Sequence, residues 1–233
     1  MIVVTGSGDG IGRAVGLALA RQGATVGLLG RTPRKLERTY DLIVAEGCPK
    51  PALLPFDLET AAAPAYDALR SALDREFGRL DGLAHCAGIL GALSPIDHYD
   101  VPTWCRVLHI NLTAAFILTQ ALLPLLRKSL DARIVFTSSG VGRRGRAYWG
   151  AYSVSKFATE GLMQVLAHEA AESTRIRVNS VNPGPVRTAM RREAFPAEDA
   201  AQLVPPESVT PHYVWLLGPD SAEVNGQAFD CQG

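Results

Sequence analysis

Cysteine is scarce in this 233-residue chain: Cys48, Cys86, Cys105 and Cys231 are the only four, and no two stand in CxxC spacing. Their scatter argues against a disulfide framework and against a zinc site, and it fits a reducing cytoplasm. His85 beside Cys86 has no further ligands at metal spacing, so it reads as a core or turn residue and no metal is expected. A charge excess is also lacking, since 23 Lys and Arg balance 23 Asp and Glu. The chain therefore has no electrostatic footprint for nucleic acid or an anionic membrane, which leaves small molecules or proteins as partners. The opening MIVVTG has neither the basic start nor the apolar run of a signal peptide, which argues against export. The longest apolar stretch, LTAAFILTQALLPLL from Leu112 to Leu126, is interrupted by Thr119, Gln120 and Pro124. It falls short of the ~20 residues a spanning helix needs and reads as a buried helix rather than a membrane segment. No repeat, low-complexity tract or linker divides the chain, so residues 1–233 are expected to form one domain.

What is present is an alternation. Short apolar runs ending in turn residues (IVVTG, TVGLLG, ALLPFD, GLAHCAG, RIVFTSS, RVNSVNPG and GQAFD) are separated by segments of helical period such as GRAVGLALARQ and KFATEGLMQVLAHEA. Repeated βαβ units of this kind predict an α/β fold: a Rossmann-type, doubly wound parallel sheet of about seven strands with helices on both faces. Ligands bind at the carboxyl edge of such sheets, so the loops after strands are the places to search.

The first of these loops is TGSGDGIGR, residues 5 to 13. Its glycines let the backbone approach a ligand, and the helix start presents free N–H groups to an anion such as pyrophosphate. The candidate cofactor residues here are Gly6, Ser7, Gly8, Asp9, Gly10, Ile11 and Gly12. A dinucleotide site selective for NAD would place an acid about twenty residues on, at the end of the second strand. The stretch LLGRTPRK has Gly30 there instead, followed by Arg31 and Thr32. Without a carboxylate to repel it, a 2′-phosphate can enter and pair with the Arg31 guanidinium, so NADP(H) is preferred and NAD(H) is the alternative. Arg34, Lys35 and Arg38 fall on the next helix and read as a solvated face.

In AYSVSKFATEG, from Ala151, helical spacing puts Tyr152 and Lys156 one turn apart on the same face. At ~4 Å and an effective dielectric of ~20 an ammonium favours a phenolate by up to ~4 kcal/mol. That would bring a tyrosine from pKa ~10 toward ~7, where it can exchange a proton with an alcohol or carbonyl oxygen.

Together these motifs resemble those of the short-chain dehydrogenase/reductase family, over essentially the whole chain. TGSGDGIG matches the family's TGxxxGxG, and PFDLE supplies Asp57 and Leu58 for an adenine contact. HINLT supplies Asn111, Ser139 stands thirteen residues before Tyr152 as the catalytic serine does, and NPGPVRT supplies Pro183, Gly184, Val186 and Thr188 for the nicotinamide. The stretch TSSGVGRRGRAYWGAYSVSKFATEG is most similar to the YciK-like bacterial oxidoreductases. The resemblance implies an NADP(H)-dependent oxidoreductase acting on a small carbonyl or alcohol. In it Tyr152 is the general acid and base, Lys156 tunes the phenol and holds the ribose, Ser139 bonds the substrate oxygen, and Asn111 serves a proton relay. Where the family usually reads NNAG or HNAG, this chain has HCAG, with Ala87 and Gly88 kept and Cys86 replacing an amide. An NADP(H)-binding sensor without turnover is the rival reading.

The same resemblance implies a substrate pocket walled by residues 89 to 99, residues 140 to 149 and the stretch after Thr188. Arg143, Arg144 and Arg146 lie on the middle wall, open to substrate, solvent or a second subunit. Met190 to Pro206 is a candidate lid. The helix of Asn111 is apolar on nearly every face and must be covered on more than its sheet side, which with the family pattern implies a homodimer or homotetramer.

Overall fold

The computed structural model describes residues 1–232. The apolar runs form seven strands: β1 (Ile2–Thr5), β2 (Val26–Gly30), β3 (Ala52–Pro55), β4 (Gly82–His85), β5 (Arg133–Thr137), β6 (Arg177–Asn182) and β7 (Ala228–Asp230). They make one all-parallel sheet in the order β3-β2-β1-β4-β5-β6-β7. Every residue of β1, β4 and β5 is buried, which is why these strands read as continuous apolar runs rather than alternating ones. Winding reverses between β1 and β4, and the crevice above their carboxyl ends is where a doubly wound fold binds its ligand.

The intervening segments supply α1 (Gly10–Arg21), α2 (Pro33–Ala45), α3 (Ala63–Phe77), α4 (Val101–Leu108), α5 (Ala114–Leu126), α6 (Gly150–Ser173), α7 (Ala189–Ala194) and α8 (Thr210–Leu217). One core buries Val3, Leu83, Ile134 and Phe136 of the sheet under Leu69 and Leu73 of α3, Leu118 and Leu122 of α5 and Met163 and Ala167 of α6. The other buries Val4, Leu28, Val135 and Val181 under Val15 and Leu19 of α1, Leu36 and Ile43 of α2 and Tyr213 and Leu216 of α8. The single domain with helices on both faces is thus the arrangement that the alternating pattern predicts.

One expectation needs correction. The apolar stretch Leu112–Leu126 is only part of its helix: α4, a π-helical turn (His109–Thr113) and α5 run on as 26 residues, Val101–Leu126, and an 18-residue window of it has a mean hydropathy of 1.5. By length and composition it could cross a membrane, yet here it packs along the sheet, with Leu118, Leu122 and Leu126 fully buried. Its outer face is not covered, for Phe116 of α5 and Val154, Phe157 and Val165 of α6 stay exposed.

Candidate active site

A cleft of about 420 Å³ follows the carboxyl edge from the glycine-rich loop to the start of α6. Its floor is glycine for a steric reason. A Cβ on Gly12 would lie 2.4 Å from the Gly6 carbonyl oxygen, so α1 can press against the loop only without a side chain. Gly6, at φ +68°, sits against the Ala87 backbone and joins the first loop to the one after β4. Asp9 caps α1 by accepting from the Gly10 N–H at 2.8 Å and pairs with Lys35 Nζ at 2.6 Å, which holds its carboxyl below the usual range.

Gly6, Gly8, Asp9, Gly10, Ile11, Gly12, Gly30, Arg31, Thr32, Asp57, Leu58, Ala87 and Gly88 all line the cleft, with Pro183, Gly184, Val186 and Thr188 on the opposite wall. Ser7 does not. Its hydroxyl is buried beneath the loop and donates to the Leu29 carbonyl at 3.3 Å, so it ties the loop to β2 instead of facing a ligand. Lys35, read from sequence as solvated, lines the cleft, because the first turn of α2 lies under Gly8.

The end near Arg31 is open and charged. Arg31 is 60 % exposed and lies 3.8 Å from Glu59, whose carboxylate is already held by Arg106 through two hydrogen bonds of 2.7 and 2.9 Å. The acid nearest Arg31 is thereby engaged elsewhere, and the Arg31 donors are left for a third group. Thr32 precedes α2 and makes no capping hydrogen bond, so its hydroxyl is unspent as well.

At the other end the polar groups are buried. Lys156 is 5 % exposed and donates to the Thr137 carbonyl at 2.7 Å, with its ammonium 5.7 Å from the Tyr152 ring centre. Burial pushes Lys156 down to about 8, with Cys86 and then Glu160 acting against that shift. Tyr152 departs from expectation: burial pushes it up to about 12, and only the Ser139 hydroxyl beside it works in the lowering direction. Desolvation outweighs the Ser139 hydrogen bond, so the phenol is held as a proton donor rather than near neutrality. Ser139 lines the same wall, and the neighbouring Ser138 hydroxyl is buried with no hydrogen-bond partner.

Asn111 lies behind this wall, on the π-helical turn, and does not line the cleft. Its Oδ1 accepts from the Ile89 N–H at 2.8 Å, and its Nδ2 donates to the Ile89 carbonyl at 2.9 Å and to Ser155 Oγ at 3.0 Å. It clamps the loop after β4 to α6. The strand end at Cys86 is fixed through its backbone, since Thr5 Oγ1 accepts from the Cys86 and Ala87 N–H groups, each at 3.0 Å. Burial pushes the Cys86 thiol up to about 12. His85 is in the core: it stacks on Phe136, bonds Thr119 at 2.8 Å and is pushed down to about 3 by burial, so it stays neutral. No group of three metal-ligating side chains occurs among the described residues.

Beside Tyr152 lies an apolar cluster of Leu90, Val141, Trp149, Met190, Ala194 and Phe195, of which Leu90, Trp149, Met190 and Ala194 line the cleft. All three expected walls contribute, although only Ile89 and Leu90 of residues 89–99 reach the cleft. Arg143 turns away from it, to Asp230 at 2.8 Å and Glu160 at 3.4 Å. The segment after Thr188 folds as α7, and Arg191 pins it by bonding both carboxylate oxygens of Glu198.

The glycine cradle, the YxxxK pair on one helix face and the serine on the facing loop form one cleft, and the family model for short chain dehydrogenase matches residues 1–199. The chain belongs to the short-chain dehydrogenase family. It is 48 % identical to the oxidoreductase YciK of Escherichia coli over 232 residues, which cover 100 % of this chain and 91 % of that protein. A short chain dehydrogenase from Pseudomonas syringae superposes with a TM-score of 0.98 at 50 % identity, covering 99 % of this chain and 94 % of the other. A Shigella flexneri short chain dehydrogenase solved in complex with NADP gives 0.97 at 49 % identity, covering 100 % and 96 %. The cleft residues that a reading of this dehydrogenase from sequence missed include Lys35 and Glu59. Only folding brings them to the cleft, and the Lys35–Asp9 pair spans 26 residues of chain.

Proposed function

We propose that this dehydrogenase is an NADP(H)-dependent oxidoreductase that interconverts a small carbonyl and the matching alcohol. The observation that carries this reading is the buried Tyr152 with Lys156 one turn away, at the apolar end of a cleft whose other end is a glycine cradle beside the exposed Arg31. The residues fit the cofactor. Gly6, Gly8 and Gly12 leave room for a pyrophosphate at the start of α1, Arg31 and Thr32 take the 2′-phosphate, and Asp57 and Leu58 lie on the adenine side. Pro183, Gly184, Val186 and Thr188 hold the nicotinamide end, with the Lys156 ammonium on the ribose hydroxyls. The solved NADP complex of the similar Shigella protein supports NADP as the cofactor. When bound, NADPH supplies hydride to the carbonyl carbon.

The chain's own residues handle the oxygen. Ser139 donates a hydrogen bond to the substrate oxygen and holds it beside the phenol. Tyr152, kept protonated by burial, gives its proton as negative charge gathers on that oxygen, and in the reverse direction the phenolate removes it. Lys156 is the nearby positive charge that favours the phenolate, and Asn111 positions the Ile89 backbone and α6 around it. The apolar walls exclude water from the transfer. Phe116 on α5 with Val154, Phe157 and Val165 on α6 form an apolar face that suits pairing with a second copy in a homodimer or homotetramer. A cytoplasmic setting accords with the four free cysteines.

The test is turnover of a broad panel of aldehydes, ketones and alcohols with NADPH and NADP, followed by cofactor absorbance. Reduction or oxidation of several members is the expected result. NADPH binding with no turnover across the panel would favour a cofactor-sensing protein.

A further inference from the structure

The turn before α6 is built in an unusual way. Tyr148 has φ +72°, a left-handed conformation that a bulky residue rarely adopts, and its ring points outward, 61 % exposed. The Trp149 N–H bonds the Arg146 carbonyl at 3.2 Å and so closes the turn. Gly150 follows at φ +21°, where a Cβ would strike the Tyr99 ring at 2.5 Å. This turn places Trp149 in the cleft wall, with the exposed Arg146 outside that lining and beside the Trp149 and Phe195 rings. The Arg146 guanidinium lies 5.9 Å from the Trp149 ring centre and 5.6 Å from that of Phe195. The Trp149 ring in turn stands 5.8 Å from Tyr152.

Charge at the mouth is uneven. Arg191 packs on Phe195 at 3.9 Å but is neutralised by Glu198 through two hydrogen bonds. Arg143 is spent on Asp230 and Glu160. Arg146 has no carboxylate partner among the described residues, and Arg144 stacks on none of the pocket rings. The Arg146 donors make no hydrogen bond among the described residues, and the planar guanidinium fork matches a carboxylate. A single guanidinium beside these rings suits a monoanion.

Resting on the reading that this cleft interconverts a carbonyl and an alcohol, we infer that Arg146 is a specificity residue. The substrate it selects has an apolar body, seated against Leu90, Trp149 and Met190, and a carboxylate at the end remote from the reacting carbon.

Two measurements test this, one of which needs no chemistry. In the first, kcat/KM with NADPH is determined for straight-chain terminal oxo acids and their methyl esters, on wild type, Arg146→Gln and Arg146→Lys. The best-fitting acid is expected to exceed its ester by about tenfold in wild type. Arg146→Gln is expected to erase that ratio through a higher KM for the acid with the ester unchanged, and Arg146→Lys to keep part of it. In the second, heptanoate and heptanamide are titrated calorimetrically into the protein with NADP, with tighter binding of heptanoate expected only where Arg146 is present. Equal use of acid and ester, or a preference that Arg146→Gln leaves intact, overturns the inference while the oxidoreductase reading stands. Arg146-dependent binding of heptanoate without turnover of any oxo acid supports the inference and counts against the oxidoreductase reading. Heptanoate binding that is no tighter than that of heptanamide overturns the inference whatever the turnover.

Discussion

The two ends of the cleft use charge in opposite ways. At the Arg31 end the charged groups face solvent, so they act by being available: Arg31 is 60 % exposed, and the nearby Glu59 is bound by Arg106. At the Tyr152 end the charged and polar groups are buried, so they act through changed acidity, with the phenol pushed up to about 12 and the ammonium down to about 8. Exposed charge is screened and contributes to recognition, whereas buried charge is costly and reactive. One cleft can therefore select a nucleotide at one end and move a proton at the other.

Removing a single oxygen from the buried end should have the largest effect. Tyr152→Phe keeps the ring and its packing on Trp149, so NADPH affinity should barely change. Single-turnover hydride transfer should fall by ~10² to 10⁴, the usual contribution of a general acid or base. Near-normal transfer would show that the proton comes from another group. Next in size is Asn111→Ala, which removes three hydrogen bonds and leaves the Ile89 N–H short of its partner. A loss of about 3 kcal/mol in urea unfolding is expected, and a loss under ~0.5 kcal/mol would deny Asn111 its clamping role.

The open end should respond more selectively. Arg31→Ala should weaken NADPH by roughly tenfold to a hundredfold and NADH very little, as calorimetric titration can measure. Equal weakening of both cofactors would remove the 2′-phosphate from Arg31 and erase the functional contrast between the ends.

The smallest effect sharpens the buried end through pH. Lys156 has its folded pKa lowered from 10.5 to about 8, so between those values the unfolded chain binds more protons than the folded one. The cost of burying Lys156 is thus present near neutral pH and is relieved as pH rises from 8 toward 10.5. Tyr152, raised from 10 to about 12, acts only above pH 10 and in the opposite direction. Wild type should therefore gain on the order of 2 kcal/mol relative to Lys156→Met between pH 7 and about pH 9.5. Identical pH profiles in urea unfolding would mean that the ammonium is well solvated.

Much of this architecture was legible because it depends on local pattern. Strands buried on both faces must be apolar throughout, so the short runs such as IVVT and RIVFT read as a covered parallel sheet. Gly12 could be read as part of a cradle because its helix start follows a strand, and Tyr152 and Lys156 because four residues make one helical turn. Ser7 could not be distinguished from its cleft-lining neighbours, since only the direction of its side chain, down to Leu29, separates them.

By itself the sequence determined the fold class and the family and singled out the candidate reacting groups, all of which follow from periodicity and short spacings. Tertiary structure decided what those groups can do. Burial is a property of the packed whole, and it made Tyr152 a firmer acid-holder than one adjacent ammonium would suggest. Meetings across long stretches of chain, Lys35 with Asp9 and Arg146 with Phe195, came only with packing, because no local period places such partners together.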